Sequence, residues 1–295
     1  MSAIESVRDR VGEELFRLVA GPDGQRRREF VHGSPGPRWF DPDSPIGRVH
    51  GDASMFVGGI RAIMLQSLHP AAMQGVAEHS GYRGDMWGRL AQIANFIAIT
   101  TFGTERHAEQ AIAAVRRAHE SVTGTMPDGT PYEANDPHLL GWVHAAEVES
   151  FLLAHEVHGH RPLTAAEQDA YVEQTARVAR RLGVTEPPTS RASLDATLAT
   201  YRPELAGTDH ARDAIRFLIR EPDLPLAARP PYLSLVGAAV ALMPAWTRAE
   251  LALAPPRRIT DRTATAVGGG ATRLVRWAMS PGHAHARRLQ QAAGS

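Results

Sequence analysis

The sequence predicts an all-α protein, a single multi-helix domain. Apolar residues recur at helical spacing through most of the chain, while the alternation expected of strands is rare. Capping residues punctuate the pattern. The chain has 295 residues, of which 43% are hydrophobic, enough to bury a sizeable core.

The elements follow in order. A charged, amphipathic first helix is expected over Ala3–Val19. Gly21–Ser44, rich in Gly, Pro and Arg, reads as an extended segment wrapping the body. A helix is expected from Asp52 to Leu68, broken at His69-Pro70 because proline disfavours helix at the residue before it. A short helix runs on to His79. Trp87–Phe102 and Glu105–Val122 come next, with Gly103 and Thr104 as C-cap and N-cap between them.

Gly124–Pro137 reads as a loop, with turn signals at Asp128-Gly129 and Asn135-Asp136-Pro137. Helices are then expected over His138–Val157, Ala165–Leu182, Arg191–Tyr201, Asp209–Arg220 and Tyr232–Leu253. Thr164 and Glu167 form a capping box for the second of these. After Pro256 the patterning weakens, and Gly268-Gly269-Gly270 reads as a break. The domain plan is 1–50 for the first helix and wrapping segment, 51–255 for the helical body and 256–295 for a helical tail.

Composition narrows the chemistry. Formal net charge is zero, so nothing suggests nucleic acid or an anionic membrane as a partner. There is no cysteine, which removes thiolate catalysis and cysteine-ligated metal or haem. All 32 Lys+Arg residues are arginine, so no mechanism here uses a lysine amine. The 14 histidines become the main candidates for metal, haem or acid/base work. The most apolar run, Pro231–Trp246, would span roughly 24 Å as a helix, short of the ~30 Å hydrocarbon core. Pro244 interrupts it, so a buried core helix is expected, not a membrane span. The N-terminus lacks the apolar core of a secretion leader, and a cytoplasmic location is expected.

Glu105–Val122 holds the most suggestive residue. Ala108, Ile112, Val115 and Val122 share one helical face, and His119 falls in its middle. Burying an imidazole without a partner is costly. Either a ligand binds it or a backbone carbonyl does. In the apolar helix before it, Arg89 and Gln92 sit three residues apart on one side. If that side is buried, Arg89 requires an anion; otherwise both point to solvent. His144 and Glu147 are also three apart, among Leu140, Val148 and Phe151, which suggests a half-buried polar pair.

Other constellations are weaker. His155, His158 and His160 lack the spacing of His-Glu-x-x-His and sit at a helix end. A di-iron bundle wants two Glu-x-x-His motifs; the chain has one, Glu29-Phe30-Val31-His32, in the segment expected to be extended. No Gly-x-Gly-x-x-Gly, P-loop or Gly-x-Ser-x-Gly is present.

Several segments, taken in order, resemble the MpaB/rubber-oxygenase (latex-clearing protein) catalytic domain family. They are Gly58-Gly59-Ile60-Arg61, Leu65-Gln66-Ser67-Leu68-His69-Pro70 and Gly75-Val76-Ala77-Glu78-His79-Ser80. Arg89-Leu90, Phe102-Gly103 and His119-Glu120-Ser121-Val122-Thr123-Gly124 follow. Asp128-Gly129, Tyr132, Asn135-Asp136-Pro137 and Leu140-Gly141-Trp142-Val143-His144 complete the set. The resemblance implies a globin-like helical core holding haem b within 51–255. It implies His119 as the proximal iron ligand and Arg89 on the distal helix.

Rubber-cleaving members carry a lysine and a threonine three and four residues after that arginine. Here these are Gln92 and Ile93, so the distal pocket is expected to differ. Glu78 is only a neighbour of the family's catalytic glutamate. The expected function is a haem-b-dependent oxygenase, or a related oxidative enzyme, acting with dioxygen on an apolar small or lipid-like substrate. Arg89 and Gln92 are the expected catalytic groups. His119, Arg89, Ile93, Val115 and His144 are expected to bind the cofactor, with His119 on the metal. The alternatives are a haem-carrying sensor without turnover and a metal-free helical interaction protein.

Overall fold

Helix-forming residues and capping signals carry through into a predominantly helical protein with one small hairpin. The computed structural model describes residues 5, 8, 9, 12, 13, 16, 21, 23–79, 86–220, 224 and 226–294, with 227 and 294 described by backbone only. The helix expected over Ala3–Val19 therefore lies largely outside the described residues. The helices are α1 (Gly24–Gly33), α2 (Pro45–His50), α3 (Met55–Gln66), α4 (Pro70–His79), α5 (Met86–Phe102) and α6 (Glu105–Glu120). Strands β1 (Thr123–Thr125) and β2 (Pro131–Glu133) pair antiparallel, with Gly124 opposite Tyr132. Then come α7 (Pro137–His158), α8 (Ala165–Leu182), α9 (Arg191–Tyr201), α10 (Asp209–Arg220), α11 (Arg229–Ala241), α12 (Ala245–Glu250) and α13 (Arg258–Gly294). Two 3-10 turns, Arg202–Glu204 and Leu226–Ala228, lie between them.

The caps behave as their chemistry dictates. Thr104 accepts a hydrogen bond from the His107 amide and starts α6. Asp136 accepts from the His138 amide and starts α7, with Pro137 in its first turn. Thr164 and Glu167 close a reciprocal capping box on α8.

Tertiary packing overrides the local reading in four places. Gly21–Ser44 is not extended throughout: α1 forms over its middle, so Glu29 and His32 are helical. Gln25–Arg28 are good helix formers, and α1 lies against α13 with Val31 buried. The helix expected from Asp52 to Leu68 begins at Met55, and α2 precedes it as a separate short helix opened by Pro45. Tyr232–Leu253 divides into α11 and α12 at Met243-Pro244. The Gly268-Gly269-Gly270 run does not break the tail, because α13 is continuous through it. A Cβ at Gly268 would collide with Ala238 of α11, so glycine here permits a close helix crossing. The small β1–β2 hairpin also occupies part of the segment read as loop.

The tightest packing is between α3 and α7. A Cβ on Gly58 would lie 2.7 Å from Phe151 Cδ1 and 3.1 Å from Phe151 Cα. One apolar cluster gathers Trp39, Ile97, Ile112, Val148, Phe151 and Tyr171. A second gathers Met64, Leu68, Trp142, Tyr201, Ile215 and Val236. Arg61, 1% exposed, crosses between them. It pairs with Glu149, donates to Ser150 Oγ at 2.7 Å and donates to the Leu242 carbonyl at 3.2 Å. No helix of the described residues is long and apolar enough to cross a membrane.

Candidate functional site

α5 and α6 fold back on each other about Gly103, which brings the early turns of α5 alongside the late turns of α6. α7 contributes Ala145 and Val148 to the same apolar cluster as Ile97 and Ile112. The expected face of α6 is real: Ala108 and Ile112 are buried, Val115 and His119 half-buried, and Glu109, Arg116, Arg117 and Glu120 exposed.

His119 Nδ1 is buried and has no hydrogen-bond partner. Burial holds the ring below the ordinary histidine pKa, and Asn135 partly opposes this. Asn135 is anchored by its amide nitrogen, which donates to the Arg116 carbonyl at 3.0 Å, while its Oδ1 is buried without a partner. An Nδ1–H pointed at that oxygen leaves the Nε2 lone pair free, the arrangement that a metal-ligating histidine needs.

Arg89 is half-buried on α5, and its Nη1 is likewise buried without a partner. Gln92 is exposed and Ile93 is 39% exposed, an apolar side chain left uncovered in the middle of a helix. On α7, His144 Nε2 is buried and unpartnered. No hydrogen bond joins His144 to Glu147, so the expected pair is two separate groups. Both lie deep in the protein, and both keep part of their surface accessible. Burial pushes His144 down to about 4 and Glu147 up to about 7, so near neutrality His144 is uncharged and Glu147 keeps its proton about half the time.

Three residues the sequence did not single out extend this region. His50 ends α2, with Nδ1 2.8 Å from Thr101 Oγ1 and Nε2 3.2 Å from Tyr171 Oη. Burial lowers His50 to about 3. Tyr171 is raised well above its ordinary range by burial and then by Glu147, which places those two side chains near each other. Thr101, His50, Tyr171 and Glu147 thus form a polar line through the core. Nothing in helical periodicity marks them, because they meet from four different helices.

The raised Glu147 makes a stability prediction. The folded protein holds its proton up to about pH 7, whereas an unfolded glutamate releases it near 4.5. The contribution is therefore full below pH 4.5 and is lost as pH rises through 7. Glu147→Gln is expected to lack this loss. In urea titrations, wild-type stability relative to the variant should fall between pH 4.5 and 7, by at most about 1.4 kcal/mol per pH unit. A pH-independent difference would refute the raised value.

The described cavities lie elsewhere. One, of about 360 Å³, sits between α1, α2, α5 and α13 and is lined by His32, His50, Asp52, His155, Arg276 and His283. The other is an apolar groove between α11 and α13. His119 and Arg89 line neither. His155 and His158 are buried near Asp52 and do not converge with it as ligands; Asp52 instead accepts two hydrogen bonds from Arg276. A different constellation does converge: His69, His138 and Glu204 bring one donor atom each within 4.8 Å of one another.

Comparison with known proteins bears on this geometry. The family described as "ER-bound oxygenase mpaB/B'/Rubber oxygenase, catalytic domain" matches residues 47–277. The chain belongs to that family. The MpaB/rubber-oxygenase match runs from α2 into α13 and so contains Arg89, Gln92, Ile93, Val115, His119 and His144. Two curated relatives, uncharacterized proteins of Mycobacterium bovis and Mycobacterium tuberculosis, are each 30% identical over 140 residues. The aligned part is 45% of this chain and 54% of each relative, so the chain spans about half the length of the curated relatives it matches. No solved structure matches.

Proposed function

We propose that this oxygenase-family domain binds haem b through His119 and oxidises an apolar small or lipid-like substrate with dioxygen. One observation carries the reading. Arg89 Nη1 and His144 Nε2 are buried without partners beside an apolar cluster, and His119, its Nδ1 buried beside Asn135, leaves Nε2 unclaimed. Buried polar groups almost always have partners, so two orphans and an unclaimed imidazole nitrogen on α5, α6 and α7 call for a missing one. A flat apolar group with an electron-accepting centre and anionic edges suits that donor set.

Each residue then has a role. His119, neutral at pH 7, offers Nε2 to iron, with Asn135 orienting the ring through Nδ1. Arg89 supplies a permanent positive charge for a propionate. Val115 and Ile93 supply apolar surface. Gln92, on the arginine-bearing helix, supplies an amide donor for a polar atom of dioxygen or substrate. Haem, when bound, supplies redox chemistry that no side chain of this cysteine-free chain possesses. Glu147 exchanges a proton near pH 7 within electrostatic reach of Tyr171, and Tyr171 is joined through His50 to the cavity that His50 lines. That line is a route for protons between solvent and a dry site.

The test is a spectrum followed by a turnover assay. The full chain expressed with haem supplied should show a Soret band and about one iron per chain. It should then consume dioxygen with at least one member of a panel of alkenes and unsaturated lipids. A colourless protein with no iron ends the proposal. Haem without dioxygen consumption across the panel ends the oxygenase part and leaves a carrier.

A further inference from the structure

We propose that His69, His138 and Glu204 form a second site, one that binds a divalent transition-metal ion of the zinc class with coordination positions left open to solvent. This does not rest on the haem reading.

The three residues come from separate parts of the chain. His69 occupies the α3–α4 junction, held out of helix by Pro70. His138 lies in the first turn of α7, and Glu204 ends the 3-10 turn after α9. Main-chain structure holds them together. The Ala206 amide donates to the Leu68 carbonyl at 2.9 Å, which fastens the turn beside His69. Tyr201 Oη donates to the His138 carbonyl at 2.8 Å, and its ring lies 4.6 Å from the His138 ring.

The donor atoms have the spacing a metal wants. Glu204 Oε2 is 2.7 Å from His138 Nε2 and 3.5 Å from His69 Nε2. A tetrahedral ion with bonds near 2.1 Å sets its donors about 3.4 Å apart. The first distance must open by less than 1 Å, roughly, and two exposed side chains can yield that. His138 and Glu204 are 52% and 43% exposed as side chains, which allows the adjustment and gives the ion a solvent-facing side.

His69 is the second, independent sign of a ligand. It is 6% exposed; Nδ1 has no partner, and Nε2 has only the Glu204 carboxylate at 3.5 Å, without a well-formed hydrogen bond. A buried imidazole with one nitrogen unsatisfied and the other at a long contact is costly unless something binds it. Two histidines and one carboxylate leave room for water or substrate on the ion, as open zinc sites do.

Zn²⁺ is the probe. Calorimetric titration of the full chain, with metal analysis after dialysis, should find about one saturable equivalent. The unfolding temperature should rise with Zn²⁺, because the ion joins three segments of the fold. His138→Ala and Glu204→Gln alter exposed side chains and should fold. Each is expected to weaken Zn²⁺ binding by about tenfold or more while leaving the metal-free unfolding temperature and any haem spectrum unchanged. His160→Ala, at an exposed histidine away from the cluster, should bind as wild type does. The proposal is overturned if wild type takes up no Zn²⁺, or if His138→Ala and Glu204→Gln both bind it as tightly as wild type.

Discussion

On the proposed haem reading, His119→Gly is expected to abolish haem binding, and added imidazole is expected to restore it. The argument is geometric. His119 is half-buried in the last turn of α6, its Nδ1 is shut in beside Asn135, and Nε2 is left to bind. Removing the ring removes the bond to iron but leaves a slot of imidazole shape. Free imidazole can occupy that slot and ligate in its place. The helix should survive, since glycine costs about 1 kcal/mol in a helix interior and less at an end. The expected readings are a Soret band reduced at least about tenfold in the variant and recovered with millimolar imidazole. Far-ultraviolet circular dichroism should be unchanged. Wild-type haem content in His119→Gly would show that another residue holds the iron. Asn135→Ala should be milder: haem retained, with weaker affinity, because only the ring's orientation is lost.

The largest effect on stability is expected at Arg61. Its guanidinium is buried among α3, α7 and the end of α11, where Glu149, Ser150 and the Leu242 carbonyl absorb its donors. Arg61→Ala removes the Glu149 carboxylate's ion-pair partner, leaving only the more distant charge of Arg191, with 12% of the glutamate side chain exposed. Breaking one half of such a pair costs about 3–5 kcal/mol, several times the value of a surface ion pair. Urea unfolding should show that loss as a lower midpoint. Adding Glu149→Gln to Arg61→Ala should recover part of it, because the charge is no longer stranded. A cost under about 1 kcal/mol would mean that water reaches the pair and screens it as it would at a surface.

The chain by itself determined the helices whose ends carry chemical signals. α8, α9 and α10 run between the residues expected, and α6 starts at Thr104 as expected, because capping and periodicity act within a few residues. It also determined that His119 belongs on an apolar face, since three-residue and four-residue spacings fix what lies on one side of a helix. The α1 helix and the unbroken run of α13 through three glycines were decided by packing partners distant in sequence, whereas Pro244 locally divides α11 from α12. Glycine weakens a helix locally, yet at Gly268 it permits the contact with Ala238 that holds α13 in place.

The polar assemblies were decided the same way. Thr101, His50, Tyr171 and Glu147 lie on four helices, and His69, His138 and Glu204 on three separate segments. No spacing along the chain relates their members. Only the folded arrangement brings these groups within reach of one another, and only burial there sets which of them keep a proton.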